Sequence, residues 1–219
     1  MPNSGSRESE NLWLARTLWD MGAVRFGDFT IGRSTVHSPV YVNPRLLISK
    51  PTALRRSARV LVMETTFEMA RRRQGVSPFD LVAGVPFGGL HLATAFSLIT
   101  RVPMIYVYPS TDNDVRGTRY IEGRHSEGQS VLVVDDLVTT GGSIIETLER
   151  LRGEGLLVRD AVVLIDRGQG ARERLRQHGC NLHTILSLEV MLNYYLSTGK
   201  ITEALHRKCI EYLKANKEG

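Results

Sequence analysis

The side chains best suited to chemistry are concentrated in one stretch of the chain, residues 131–143. Two adjacent carboxylates, Asp135 and Asp136, are followed by the hydroxyls of Thr139 and Thr140 and then by two glycines. A glycine-rich loop that opens a helix presents unpaired backbone N–H groups and a partial positive charge, which suit a phosphate. Because the carboxylates would repel that phosphate, we expect them to bind another part of the same ligand, such as the vicinal hydroxyls of a ribose.

The apolar pattern on either side of this stretch predicts the elements that hold it. Val131 to Val134 is a run of apolar, mostly β-branched residues, typical of a strand buried in a parallel sheet. From Ile144 to Arg152, apolar residues recur at helical spacing. The stretch is therefore predicted to be a strand, an acidic turn, a glycine-rich loop and a helix start. An ordinary turn in which Thr or Ser caps the helix is the alternative that needs no ligand.

Two familiar nucleotide-binding motifs are excluded by the residues around the glycines. A Walker loop needs a Lys after its glycines, and a dinucleotide-binding fingerprint needs a further spaced glycine beyond Gly142. The stretch instead closely resembles the signature of type I phosphoribosyltransferases, which bind 5-phosphoribosyl 1-diphosphate, the phosphoribosyl donor. The resemblance implies that one continuous loop holds the ribose 5-phosphate of this donor. The residues of that loop are Asp135, Asp136, Leu137, Val138, Thr139, Thr140, Gly141, Gly142 and Ser143.

Two further glycine-rich turns follow predicted strands. In residues 84–89 the glycines permit close backbone approach to a diphosphate, which makes Phe87 and Gly88 further candidates for donor binding. The alternative for this segment is a tight turn required only by packing. In residues 166–170, Arg167 stands at a strand end, where it could bind a carboxylate through two hydrogen bonds or form a surface salt bridge.

Predicted strands and helices alternate along the whole chain. Strands are expected at residues 22–31, 37–42, 80–85, 102–107, 131–134, 159–166 and 182–186. Helices are expected from residue 12 to a stop at Gly22 and at residues 51–73, 88–99, 144–152, 171–177, 188–196 and 201–214, with a long loop at 108–130. This alternation predicts an α/β fold with a central, mainly parallel sheet flanked by helices, whose ligands lie beyond the carboxyl ends of the strands.

The chain is predicted to divide into four parts. Residues 1–10 are polar and are expected to be a disordered tail. Residues 11–50 are expected to form an N-terminal helix and a β-hairpin, which together make a small hood over the sheet. Residues 51–187 form the predicted phosphoribosyltransferase core, and residues 188–219 the C-terminal helices.

Composition indicates a soluble globular protein, with 42% hydrophobic and 23% charged residues in 219. The net charge of +5 is attributed to ligands that carry phosphates, since neither an RNA-binding motif nor an aromatic and basic face occurs. Residues 81–100 lack charge, but Pro86 and three glycines interrupt them, so a strand, a turn and a helix are expected there. With two cysteines and no apolar leader, we expect a cytoplasmic protein that binds neither nucleic acid nor membrane.

Five motifs occur in the order found in orotate phosphoribosyltransferases, and the likeness runs from about residue 12 to residue 190. They are Phe26-Gly-Asp-Phe-Thr30, Ser38-Pro-Val-Tyr41, Gly84-Val-Pro-Phe87, the stretch at 131–143 and Ile165-Asp-Arg167. The resemblance implies transfer of a phosphoribosyl group from the donor to orotate, giving orotidine 5′-phosphate and diphosphate in UMP biosynthesis. A purine acceptor is disfavoured because an arginine at 167 suits an anionic base.

The same resemblance implies the acceptor site, the cofactor and the assembly. The orotate-binding residues would be Thr139, Arg167, Arg33 and Tyr41. The family uses Mg²⁺, which the diphosphate of the ligand holds in the main, so no direct protein ligand to the metal is expected. It also forms homodimers in which a mobile loop of one subunit reaches the site of its neighbour.

The sequence departs from this family in two places. Where the hairpin of the family commonly carries a Lys, this chain has Gly32 and Arg33, so Arg33 is the expected substitute. The mobile loop of the family carries an Arg-Lys pair, a further Lys and often a His, whereas residues 106–119 contain no Lys and no His.

The cations of that loop decide between two hypotheses. Catalysis here consists mainly of neutralising the charge of the departing diphosphate, so Arg116 and Arg119 are expected catalytic residues. Asp136 is the third expected catalytic residue, in a reaction that also builds positive charge on the sugar. A loop with so few cations keeps a second function open, that of a catalytically weak or inactive homologue that binds the donor and acts as a regulator.

Overall fold

The computed structural model describes residues 10–31, 35–71, 75–108 and 121–217, with the backbone alone at Ile31 and Thr35. The predicted disordered tail therefore lies outside the described residues except for Glu10. None of the described helices combines the length and the apolarity needed to span a bilayer.

A six-stranded sheet forms the centre of the molecule, with the strand order β5-β4-β3-β6-β7-β8. The strands are β3 (Leu81–Gly84), β4 (Met104–Val107), β5 (Ile121–Glu122), β6 (Ser130–Val138), β7 (Leu157–Asp166) and β8 (Asn181–Ser187). All neighbours are parallel except β5, which runs antiparallel to β4 at the edge. The predicted α/β class with a mainly parallel sheet is confirmed.

Eight helical segments surround the sheet in the described part of the chain. The α-helices are α1 (Leu12–Asp20), α2 (Pro51–Met69), α3 (Gly88–Thr100), α4 (Gly142–Gly153), α5 (Ala171–Gln177), α6 (Leu188–Ser197) and α7 (Glu203–Ala215), and a 3₁₀ helix spans Pro44–Ser49. Proline at the first position of α2 and of the 3₁₀ helix suits a helix start, where its missing N–H leaves no intrahelical bond unmade.

The sheet separates two apolar cores, because successive side chains of a strand point to opposite faces. Along β6, Leu132 and Val134 pack into the core that contains α1, α2, α3, α6 and α7. Val131 and Val133 pack into the core on the other face, with α4 and α5. Burial on both faces explains the unbroken apolar run from which this strand was predicted.

A two-stranded antiparallel hairpin, β1 (Val24–Ile31) and β2 (Thr35–Val42), lies apart from the main sheet. Val40 and Val42 bury their side chains in the core that contains α1. Helix α7 also holds the hairpin, since the Tyr212 hydroxyl donates a hydrogen bond to the carbonyl of Val36 at 3.0 Å. The hairpin therefore has a fixed support, while the four-part division of the chain stays a prediction.

The structure corrects three of the predicted element boundaries. Strand β6 does not end at Val134 but continues to Val138, because its carboxyl end keeps its register with β7 as far as Asp166. The predicted loop at 108–130 contains the short strand β5, which pairs with β4. No local sequence pattern indicates this pairing. Helix α2 ends at Met69, although its apolar pattern predicted helix as far as Arg73.

Candidate active site

The carboxyl ends of β3, β6 and β7 meet the end of the hairpin around a cavity of about 220 Å³. This is the edge of the sheet where the topology predicts a ligand. The lining residues are Tyr41, Val42, Asn43, Pro44, Arg45, Val85, Pro86, Phe87, Gly88, Asp135, Asp136, Leu137, Thr139, Ser143 and Arg167. The cavity thus brings together residues from all three predicted turns and from the hood.

Helix α4 presents its N-terminus beside this cavity. Its N-cap is Gly141 in the left-handed region, with φ of 83°, and no side chain caps the helix. The predicted alternative, a helix capped by Thr or Ser, is therefore wrong. The first-turn N–H groups lack intrahelical partners, as at every helix start, and here they lie at the mouth of a polar cavity.

The two acids lie within strand β6 and not in a turn after it. The backbone N–H of Asp136 donates to Oδ1 of Asp135 at 2.8 Å. Burial, and then the neighbouring charge of Asp136, raise the pKa of Asp135 well above its usual value. Burial also raises the pKa of Asp136, against the opposing effects of Asp135 and the charge of Arg45. Two carboxylates held in such surroundings favour a ligand that donates hydrogen bonds to them.

The two glycines that open α3 are required by the close approach of this helix start to the acids. A Cβ added at Gly88 would lie 2.3 Å from the Asp136 carboxyl, and one at Gly89 would lie 2.3 Å from the Val134 carbonyl oxygen. Side chains cannot be accommodated at either position without moving the acids or the backbone. Packing therefore accounts for these glycines, and the same packing brings the turn to the edge of the cavity.

Arg167 is a buried cation at the base of the hood. It is only 2% exposed, and its Nη2 donates to Ser38 Oγ at 2.9 Å and to the Val40 carbonyl at 3.4 Å. Its Nε has no hydrogen-bond partner, and no carboxylate in the described ranges pairs with the guanidinium. Burial lowers the pKa of Arg167. A buried guanidinium with only neutral partners suits an anionic ligand.

Among the hood residues that line the cavity, Tyr41 was predicted as a site residue and the cation Arg45 was not. Tyr41 lines the cavity, and its ring lies 5.6 Å from that of Phe29. Arg45, at the start of the 3₁₀ helix, donates from Nε to Asn43 Oδ1 at 3.0 Å and from Nη2 to the Tyr41 hydroxyl at 3.2 Å. No motif marks Arg45, which lies in the 3₁₀ helix that follows β2, in the same chain segment as Tyr41.

The other predicted residues either lie outside the described residues or do not line the cavity. Arg33, Arg116 and Arg119 fall outside the described residues. The Val138 side chain is buried in the core beside α4, and only its carbonyl oxygen reaches the site region, where it accepts from the Arg167 N–H at 3.0 Å. Thr140, Gly141 and Gly142 belong to the loop but do not line the cavity.

Neither a protein-bound metal cluster nor a cysteine nucleophile emerges from the described residues. No group of three or more His, Cys, Asp or Glu side chains in those ranges is arranged to hold a metal ion. Cys180 and Cys209 are both buried, and burial raises the pKa of the first thiol to about 12 and of the second to about 11. The carboxylates among the described lining residues are Asp135 and Asp136. Two carboxylates do not fill the coordination shell of a divalent cation, which would need further oxygen ligands from a bound phosphate.

This chain is similar to known proteins along most of its length. Residues 69–178 match the family model of the phosphoribosyl transferase domain. The chain is 34% identical over 197 residues to the orotate phosphoribosyltransferase of Caenorhabditis elegans, covering 90% of this chain and 82% of that protein. The crystal structure of orotate phosphoribosyltransferase from Aeropyrum pernix matches with a TM-score of 0.69 at 35% identity, over 83% of this chain and 98% of that one.

A longer relative matches over part of its length. The uridine 5′-monophosphate synthase of Bos taurus is 35% identical over 203 residues, which are 93% of this chain but 40% of that protein. The present chain thus spans less than half of the synthase.

Proposed function

The chain belongs to the orotate phosphoribosyltransferase family, and we propose how its own residues carry out the reaction of that family. It is a pentosyltransferase of UMP biosynthesis, which joins orotate to the phosphoribosyl group of the donor. A bond forms between N1 of orotate and C1 of the ribose while the C1–O bond to diphosphate breaks. The electron pair departs with the diphosphate oxygen, and the N1 proton leaves with the diphosphate.

The ribose 5-phosphate is assigned to the loop at residues 139–143. The uncapped N-terminus of α4 supports this assignment, because its N–H groups and the helix dipole favour a phosphate. The hydroxyls of Thr139 and Ser143, which line the cavity, can donate further hydrogen bonds to the phosphate oxygens.

The ribose hydroxyls are assigned to Asp135 and Asp136. Burial raises the pKa of both carboxyls, and hydroxyl donors would stabilise their charged forms. Binding of the donor should therefore lower the pKa of both carboxyls. Positive charge builds on the sugar as the C1–O bond breaks, and the charged pair would lie beside it. We propose that Asp136 contributes to catalysis by stabilising this positive charge.

The orotate carboxylate is assigned to Arg167, with Thr139 and Tyr41 at the edge of the ring and Arg33 as a further candidate. The observation that carries the proposal is the buried Arg167 guanidinium, which holds only neutral partners and opens into the cavity that contains the two acids. A nucleobase that carries a carboxylate, such as orotate, would compensate the positive charge of Arg167.

The diphosphate is assigned to the turn at Phe87 and Gly88. Mg²⁺ is proposed to bind mainly to diphosphate oxygens, and when bound it neutralises part of the charge on the leaving group. The close packing of Gly88 against Asp136 supports a donor that spans both elements. Further neutralisation is proposed for Arg116 and Arg119.

A homodimer in which residues 106–119 reach the partner's site is also proposed. Met63 and Leu98, on two helices that pack together, are 69% and 79% exposed. Such exposed apolar side chains suit an interface between subunits. A cytoplasmic location is proposed as well, and it is supported by two buried cysteines that form no disulfide.

The test is the fall in orotate absorbance when the protein is mixed with the donor and Mg²⁺. We expect turnover by the wild-type chain and a loss of about 10²–10³-fold in kcat/KM for orotate in Arg167→Gln, since a buried charge loses its partner. Arg172→Gln is the matched control, because Arg172 bonds to the Leu182 carbonyl on β8 and does not line the cavity. Donor binding without orotate consumption would instead support the regulator.

A further inference from the structure

The departing diphosphate carries most of the charge in this reaction, and the cavity offers few cations to meet it. Among the lining residues, the cations are Arg45 and Arg167. The hydrogen bonds of Arg167 to Ser38 and Val40 hold it at the base of the hood. This leaves Arg45 as the second cation among the described lining residues.

The position of Arg45 is set by elements that meet at the proposed diphosphate turn. Arg45 stands in the 3₁₀ helix Pro44–Ser49, which packs against helix α3 and strand β6. Helix α3 begins at Gly88, and β6 carries Asp136. Because Gly88 and Asp136 are in close packing contact, an arginine whose charge acts on Asp136 also lies near the turn.

The guanidinium of Arg45 is oriented but not neutralised. Its two hydrogen bonds go to the amide oxygen of Asn43 and to the hydroxyl of Tyr41, both of which are neutral acceptors. Within the described ranges no carboxylate forms an ion pair with it. The remaining N–H groups therefore keep both their charge and a fixed direction, which is what bidentate recognition of a phosphate requires.

We propose that Arg45 binds the diphosphate of the donor beside Gly88 and neutralises its charge as the C1–O bond breaks. The assignment rests on the proposed function of the cavity. It also gives a reason why residues 106–119 can lack lysine, since part of the positive charge stands on the hood.

The test separates the diphosphate from the rest of the nucleotide. Affinities for inorganic diphosphate with Mg²⁺ and for orotidine 5′-phosphate are measured by titration calorimetry in the wild-type chain, Arg45→Met and Arg45→Lys. We expect Arg45→Met to weaken diphosphate binding about 10–100-fold, the range for a lost hydrogen bond between charged groups, and to change nucleotide affinity less than about twofold. Arg45→Lys should recover part of the loss, because it keeps the charge without the fork.

The matched control is Arg25→Met, which removes the same charge from an exposed position on β1 opposite Tyr41 and outside the cavity lining. We expect this variant to bind both ligands as the wild type does. Equal diphosphate affinity in Arg45→Met and Arg25→Met would overturn the assignment, and so would an equal loss of both ligands in Arg45→Met. A wild-type chain that binds the nucleotide but not diphosphate would refute the role of Arg45 alone, whereas one that binds neither would refute the proposed function as well.

Discussion

Both ends of the parallel sheet contain a cavity and a buried acid, but the two ends compensate the charge in opposite ways. The cavity at the carboxyl end measures about 220 Å³, and one at the amino end, lined by Ser77, Phe79, Arg159 and Asp160 among others, measures about 230 Å³. Cavity volume therefore does not distinguish the candidate active site from the cavity at the amino end. The difference lies in whether the protein itself satisfies the buried charges.

At the amino end, Asp160 is fully provided with donors. Its oxygens accept from the Ser77 N–H at 2.9 Å, from Asn181 Nδ2 at 3.1 Å and from His183 Nε2 at 3.1 Å. Although burial works against the charged form, these hydrogen bonds together hold the pKa of Asp160 below its usual value. The group stabilises the fold, since it ties β7 to β8 and to the segment that enters β3.

At the carboxyl end, the buried charges lack such compensation. Burial raises the pKa of Asp135 and Asp136, and Arg167 keeps an Nε without a partner. The chain thus maintains unfavourable electrostatics at one edge of the sheet only. Buried charges without protein partners are typical of sites where a ligand supplies the missing hydrogen bonds or opposite charge. The difference in charge compensation therefore identifies the functional end of the sheet more clearly than cavity volume does.

The largest effect is expected when the satisfied charge is removed. Asp160→Asn should lower the free energy of unfolding at pH 7 by about 3 kcal/mol, the range for breaking a buried pair, because the charge and one of the two acceptor oxygens are lost. Since the pKa of Asp160 is lowered, the difference from wild type should be present above the ordinary value of 3.8 and vanish as the pH falls through the folded value. Urea unfolding at several pH values measures it.

Asp80→Asn is the matched control for that variant. Asp80 lies at the same end of the sheet and accepts one hydrogen bond from the Ser130 N–H at 2.8 Å, but it is exposed. We expect a loss below about 1 kcal/mol, as for other exposed groups. Turnover per folded molecule should stay at the wild-type rate in both variants. Equal losses in the two would mean that the buried cluster contributes nothing beyond one surface hydrogen bond.

A smaller effect, of opposite sign for stability, is expected at the carboxyl end. Asp135→Asn should weaken donor binding about 10–100-fold, because a hydrogen bond to a charged group is lost. The raised pKa means that the folded wild type holds its proton more tightly than the unfolded chain, so its stability falls as the pH rises above 3.8. The variant lacks this penalty and should be more stable than wild type at pH 7, with no advantage below about pH 4.

Thermal unfolding at pH 7 and pH 4, together with calorimetric titration of the donor, tests this prediction. The comparison with Asp160→Asn is direct, since both changes remove one buried carboxylate from the same sheet. If Asp135→Asn were destabilised at pH 7 as Asp160→Asn is, the two ends would not differ in the way that their hydrogen bonds indicate.

The sequence predicted the carboxyl end well because its chemistry is local. Asp135, Asp136 and the glycines after them form one continuous motif, and the apolar run before them could be assigned to a strand without distant information. Parallel topology then predicted that Arg167 and Gly88 would reach the same edge, and they do line one cavity. The fold class followed from the same alternation of strands and helices.

What the sequence did not predict depends on contacts between distant segments. The side-chain partner of Arg167 is Ser38, 129 residues away. The hydrogen bonds to Asp160 come from Ser77, before β3, and from Asn181 and His183 on β8. No periodicity records such pairs. Arg45 was missed for the same reason, because its place in the site follows from how the 3₁₀ helix packs and not from a motif.

The smallest effects compare one neutral partner of a buried charge at each end. Ser38→Ala removes the hydroxyl that accepts from Arg167, and Asn181→Ala removes one donor to Asp160. Each should cost about 1 kcal/mol of stability, the usual contribution of a single hydrogen bond. In Ser38→Ala we also expect the KM for orotate to rise about fivefold, because Arg167 loses the hydrogen bond that orients it toward the orotate carboxylate. The KM for the phosphoribosyl donor should not change. Asn181→Ala should leave both KM values as they are, and a rise in either would mean that the amino end is coupled to the site.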